Sequence, residues 1–235
     1  MSYNFLDEFD VGQRLRSVVE ELGEIVEFKL SEEEKAICKM CLNNSISTYN
    51  ISATTVFKFE GEMIFEKPEY IENLRGLYFT RNEVKDKDYI LVSTTETPYV
   101  DTLANIEVVE CNKKVSIGGK YNDYNPETGN YDLEVKDVRY KDIKVYSDTS
   151  AKQPKESVAG DIPTTIITLT IPAQYKMTTA DTIWIKEFVA VGKDIKLPEY
   201  AEQEYKVIYV DDTYSSTKDG VIFQGVFLVD IMKEV

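Results

Sequence analysis

The 235-residue chain contains no histidine. This removes the commonest general base near neutral pH, the commonest zinc ligand, and every nucleophile arrangement built on Ser/His or Cys/His. Carboxylate chemistry of the glycosidase kind stays open, because 42 Asp and Glu residues could supply a pair, but no spacing marks one. Cysteine is scarce and odd in number: Cys38, Cys41 and Cys111 are expected as thiols in a reducing compartment rather than as a disulfide framework. No stretch approaches the roughly 20 apolar residues of a membrane helix. The opening MSYNFLDEFD is acidic where a secretory signal is basic and then apolar. No membrane partner is expected. Basic residues are also in deficit, 27 against 42 acidic, and the net charge of -15 should repel phosphate, so tight unspecific nucleic-acid binding is not expected.

What is present is enough apolar mass for a core: 43% hydrophobic residues, with 16 Tyr and 10 Phe. Helical spacing is confined to the N-terminal part. Leu15, Val18, Val19 and Leu22 recur at that spacing, with Asp10 as candidate N-cap and Gly23 as candidate terminator, which predicts a helix over 10–22. Residues 25–30 alternate as a half-buried strand. Ser31 with Glu34 reads as a capping box before the stripe Ala36, Ile37, Met40 and Cys41, which predicts a second short helix ending near Asn43.

From about residue 51 the texture is β. Segments 54–60, 88–93, 106–110, 114–117, 164–171, 182–188, 205–210 and 220–231 are short, rich in β-branched and aromatic residues, and separated by turn formers. The expected fold is therefore α+β and mainly β: short N-terminal helices followed by small β-barrel or β-sandwich units. The expected divisions are an N-terminal helical segment (1–50), a first β unit (51–146), a polar linker or long loop (147–161) and a second β unit (162–235). Lys87–Val92 and Ala180–Ile185 each place Asp before an alternating strand, a short echo compatible with duplication but within chance.

Several motifs resolve into plain structural roles. Cys38-Lys39-Met40-Cys41 lacks the further soft ligands zinc wants and the strand-to-helix frame of a redox centre, so core packing is expected. Asn122–Asp132 has the acidic density of a calcium loop. Its glycine is displaced to Gly129 and Pro126 stiffens it, so it reads as a tip between two strands. Gly118-Gly119-Lys120 lacks the remaining residues of a phosphate loop and reads as a turn or bulge. No cofactor, metal or catalytic residue is assigned. Tyr121, Tyr124 and Tyr131, near that tip, are candidate anchors of a protein contact. Phe5, Leu6 and Phe9 precede the expected helix, either as an arm that docks on a partner or as a cap on the chain's own core.

Two stretches carry a resemblance. The first is Lys87-Asp88-Tyr89-Ile90-Leu91-Val92, leading through Pro98-Tyr99 to Ile106-Glu107-Val108-Val109-Glu110-Cys111-Asn112. The second runs from Ile183-Trp184-Ile185 to Tyr205-Lys206-Val207, Val210-Asp211, Gly220-Val221-Ile222 and Phe227-Leu228-Val229-Asp230. Over about half the chain the sequence resembles a family of virion structural proteins of tailed phages of Gram-positive bacteria, the head-closure, neck or head–tail connector components. The resemblance implies a non-enzymatic β-rich subunit in a homo-oligomeric ring. Its neighbours would be portal or adaptor and tail proteins, and genomic DNA would pass through it without specific binding. Such a protein is assembled in the host cytoplasm and resides in the virion. A surface of net charge -15 suits a ring that must not hold the passing duplex. The alternative from a different class is a monomeric β-sandwich module binding a receptor or carbohydrate, and a carboxylate-dependent hydrolase is a third.

Overall fold

Period-two alternation governs most of the described residues, and their strand pairings close into two barrels. The structure, a computed structural model, describes residues 5–31, 34–43, 58–82, 84, 86–98, 100–127, 129–152, 166–189, 199–218 and 221–233. It divides into two units. The first comprises Met1–Cys111 with Pro172–Gln174 and Thr213–Val226; the second comprises Asn112–Ile171 with Tyr175–Asp212 and Phe227–Val235.

The first unit begins with α1 (Phe5–Leu22), followed by β1 (Glu24–Lys29), β2 (Lys35–Asn43), β3 (Lys58–Ile64), the short α2 (Tyr70–Asn73), β4 (Tyr78–Arg81), β5 (Tyr89–Glu96) and β6 (Leu103–Glu110). These strands form a closed antiparallel barrel in the order β1-β2-β3-β6-β5-β4. Closure leaves no open sheet edge, and a six-stranded barrel is narrow enough for side chains to fill. Val26, Phe28, Cys38, Met40, Met63, Phe79, Tyr89 and Val108 fill it. Phe79 packs between Phe28, at 4.9 Å between ring centroids, and Tyr89, at 5.5 Å. Helix α1 lies outside, where Val19 packs with Val100 and Leu103 and partly buried Leu15, Cys41 and Ile64.

The second unit contains β7 (Lys113–Asn125), β8 (Asn130–Lys152), β9 (Ile166–Pro172), β10 (Thr182–Val189), β11 (Glu199–Asp211) and the end of β13 (Val221–Lys233). Their order is β11-β10-β7-β8-β9-β13, and β11 also pairs with β13, so this sheet returns on itself as well. Counted within each unit, both barrels have the strand order 1-2-3-6-5-4. A four-residue strand, β12 (Ser215–Lys218), pairs with the start of β13 in the first unit.

Each barrel has an ionic contact between the first residue of its first strand and its fourth strand. In the first barrel Arg81 Nη2 lies 2.6 Å from Glu24 Oε1, and the guanidinium sits 5.4 Å from the Tyr89 ring centroid. Tyr89 donates a long 3.4 Å hydrogen bond to Glu110, which pairs with Lys87 at 2.7 Å. In the second, Lys113 Nζ donates to Glu187 Oε1 and Tyr205 Oη to Glu187 Oε2, each at 2.7 Å. Burial alone would raise the Glu187 carboxyl; the two donors outweigh it and hold the group below its usual range. Burial, then the Glu187 carboxylate, pushes the Tyr205 phenol up.

The mainly β fold and the barrel arrangement stand as expected, and several local expectations are corrected. Residues 35–43 form a strand, not a helix. Ala36, Cys38 and Met40 point into the barrel while Ile37 is 54% exposed, and β1 and β3 supply hydrogen-bonding partners on both edges. Ser31 Oγ does accept the Glu34 N–H at 3.0 Å, but this capping-type bond closes the β1–β2 turn, where Leu30 and Ser31 N–H also reach Glu34 O. On a strand, Cys38 and Cys41 face opposite sides, so they cannot share a ligand. Burial pushes the Cys38 thiol up to about 12, consistent with a packing role. The first helix begins at Phe5, so Asp10 lies inside it and Phe5, Leu6 and Phe9 sit in its first turns instead of preceding it.

The expected linker 147–161 is in part a strand. β8 continues to Lys152, and Ser147 is buried with its N–H donated to Asn112 Oδ1 at 2.7 Å and its carbonyl accepting Asn112 Nδ2 at 2.9 Å. The rest of that segment lies outside the described residues, as do 54–57 of the strand expected over 54–60. The first boundary between units falls after Cys111, not near 146, and the second barrel takes strands from both sides of the expected linker.

Candidate interaction surface: the projecting hairpin of the second barrel

β7 and β8 are 13 and 23 residues long, far more than their barrel partners use. β10 pairs with β7 only from Val115 to Gly118, and the described pairing of β8 with β9 begins at Tyr146. Beyond Gly118 the two strands pair with each other, from Gly119↔Asp137 to Asn125↔Asn130. Residues 119–137 are thus a two-stranded ribbon without a third strand among the described pairings. Tyr121, Lys136, Asp137 and Val138 are all exposed.

Local sequence explains where the ribbon leaves the barrel. The ladder shifts register on both sides of Ile117, forming an irregularity of the bulge type. A side chain at Gly118 would run into the carbonyl of Asp137, so only glycine permits this approach. The Gly118-Gly119 pair is therefore a bulge within a strand.

Ion pairs brace the base. Lys120 and Lys136 face each other across the ladder, which alone would be unfavourable. β11 places Glu204 against Lys120 and Glu202 against Lys136. Lys136 also lies 4.2 Å from the Trp184 ring centroid, a cation–π contact, and Trp184 Nε1 donates to Glu204 at 3.3 Å. Arg139 pairs with buried Asp181, whose other oxygen accepts the Thr178 N–H at 2.7 Å. These contacts fix the direction of the ribbon at its root.

The structure places the six proposed interface residues in two groups. Tyr121, 52% exposed, stands opposite Val135, and Tyr124 stands opposite Tyr131 near the turn. The three tyrosines are therefore together on one hairpin. Phe5, Leu6 and Phe9 belong to α1 of the other unit, and their side chains lie outside the described residues. Sequence reading missed the bracing residues Lys120, Lys136, Arg139, Glu202 and Glu204. Oppositely charged residues more than 40 positions apart give no local signal, and only alternation with Tyr121 and Val135 marks the ribbon.

Along the outer face of the second barrel, a groove of 830 Å³ is lined by Lys113, Lys114, Ser116, Trp184, Lys186 and Glu202, among others. No group of three or more Cys, Asp or Glu able to hold a metal occurs among the described residues. No described helix is long and apolar enough to cross a membrane. Compared with protein-family models, curated proteins and solved structures, the chain matches none.

Proposed function

We propose that this chain is a structural virion protein of a tailed phage, a non-catalytic subunit of the head–tail connector or neck ring between portal and tail. The observation that carries the reading is the hairpin over 119–137. It is rooted by ion pairs, is exposed at Tyr121, Lys136 and Asp137, and has edges that a neighbouring subunit can cover. A two-stranded ribbon gains little stability alone and is a natural site for strand addition or tyrosine-anchored contact. Closed, filled barrels supply the rigid body that such an arm needs. The resemblance over the β5–β6 and β10–β13 stretches and the net charge of -15 agree with a ring that lets DNA pass.

Negative-stain imaging of the purified chain, alone and with portal and tail-adaptor proteins of a tailed phage, tests the reading. Rings, or a stable complex with the portal or adaptor, are the expected result. A protein that stays monomeric with every such component overturns it, and glycan binding by that monomer would establish the binding-module alternative.

A further inference from the structure

The first unit leaves an apolar stripe uncovered. Val11, Val18 and Leu22 recur on α1 at i, i+7 and i+11, beside the Leu15 and Val19 face that packs with Val100 and Leu103, and they remain exposed. Lys39 Nζ donates to the Glu20 carbonyl, which ties the end of the helix over β2. Around that lysine the stripe continues onto the barrel. Ile25 on β1 is directly opposite Lys39, and Ile37 precedes Lys39 by two residues on the same face of β2. Leu22, two residues past Glu20, stands at the junction. The five side chains are between 45% and 72% exposed. A contiguous apolar patch of a few hundred Å² marks an interaction surface.

The ribbon carries the complementary feature. Lys120 and Lys136 are cross-strand partners that turn to Glu204, Glu202 and Trp184 of their own barrel. Alternation therefore places the next cross-strand pair, Tyr121 and Val135, on the opposite face, away from β11. That face presents an exposed tyrosine over a partly buried valine, an aromatic anchor on an aliphatic base. Both surfaces stay exposed in a single chain. We infer that the Tyr121–Val135 face of one copy's ribbon packs on the Val11–Val18–Leu22–Ile25–Ile37 stripe of a second copy. The lengths agree: about 16 Å of helix from Val11 to Leu22 against about 20 Å of ribbon from Gly119 to Asn125. Two strands, about 10 Å across, cover a few hundred Å² on each partner, less than the roughly 800 Å² of a stable pair. An isolated dimer is therefore weak, whereas a closed ring holds every copy twice, once by its ribbon and once by its stripe. The two surfaces differ, so the contact is heterologous and repeats head to tail. Two α1 stripes packed on each other would instead close at a dimer and leave the ribbon unused.

The inference rests on the assembly reading above and names the surface that receives the ribbon. Cross-linking of the full chain tests it. Leu22→Cys and Tyr121→Cys variants, mixed and oxidised at a concentration where the unaltered chain assembles, should give a disulfide-linked dimer that neither variant gives alone. Sedimentation of the Val18→Lys, Leu22→Lys double variant tests the energetics. Both positions are exposed and cations near a helix C-terminus are favoured, so its Tm should hold while the concentration for half-assembly rises at least tenfold. Tyr121→Ala should raise that concentration by a similar factor. A Leu22→Cys variant that links only to itself overturns the inference and assigns the stripe to a helix pair. A linked product with portal or adaptor protein in place of a second copy also overturns it and assigns the stripe to that component. So does a folded lysine variant that assembles like the unaltered chain, which leaves the ring reading intact; if that variant fails to fold, the cross-link alone decides. An unaltered chain that never assembles removes both readings.

Discussion

In the first barrel the contact across one end runs from Glu24 on the first strand to Arg81 on the fourth; in the second it runs from Lys113 on the first strand to Glu187 on the fourth. Strand order is the same and the position is the same, but the charges are exchanged. In both, a tyrosine of the fifth strand, Tyr89 or Tyr205, completes the group. Each architecture needs opposite charges at this place, and either assignment satisfies the electrostatics. The barrels differ most in their first hairpin. β1 and β2 are joined by a tight turn after Lys29↔Lys35, whereas β7 and β8 continue as the ribbon. The repeated part is scaffold, and the added part is the candidate interface.

The largest expected effect comes from the fully buried aromatic cluster of the first barrel. Phe28→Ala removes a fully buried ring packed against Phe79 and should cost about 3–5 kcal/mol in denaturant unfolding. Trimming the second barrel at the same strand position, Ile117→Val, should cost about 0.5–1.5 kcal/mol. A loss at Phe28 no larger than the loss at Ile117 would contradict the packing role of the Phe28 ring.

The ionic ends should separate next. Glu24 and Arg81 are 9% and 18% exposed, against 27% and 25% for Lys113 and Glu187. Arg81→Met strands a nearly buried carboxylate and should cost about 3 kcal/mol at neutral pH. Lys113→Met, which leaves Glu187 wetter and still bonded to Tyr205, should cost about 1 kcal/mol. Because the Glu187 carboxyl is held below its usual value, its contribution is present above the unfolded-state value near 4.3 and is lost as pH falls through the lower folded value. The stability gap between Lys113→Met and the unaltered chain should therefore close in acid, and a gap independent of pH would contradict this assignment.

The smallest stability effect belongs to the ribbon. Joining Gly118 to Val138 through an Asn-Gly turn gives the second barrel a short hairpin like that of the first. It removes exposed strand and the two lysine brace pairs, so unfolding free energy should change by about 1 kcal/mol or less.

The charge exchange also explains what the sequence could not reveal. The echo between Lys87–Val92 and Ala180–Ile185 joins β5 to β10, the fifth strand of one barrel and the fourth of the other, so it pairs positions that are not equivalent. The equivalent residues, Glu24 with Lys113 and Arg81 with Glu187, are dissimilar in type, and similarity of letters cannot find them. The mainly β texture, most strands and the tip at Asn122–Asp132 were legible because alternation and turn formers are local signals. β2 was misread because Ala36, Met40 and Cys41 satisfy a helical spacing while Ala36, Cys38 and Met40 satisfy a strand spacing. Which spacing wins depends on β1 and β3, whose positions a window of sequence does not contain. The tyrosines of the hairpin could be found from composition, but the ion pairs at its root could not.

Sedimentation velocity of the full chain beside the chain with residues 119–137 replaced by Asn-Gly tests most directly whether the ribbon is the assembling element. A folded, monomeric short-hairpin protein beside an assembling full chain is the predicted result. Assembly of both to the same size would contradict it.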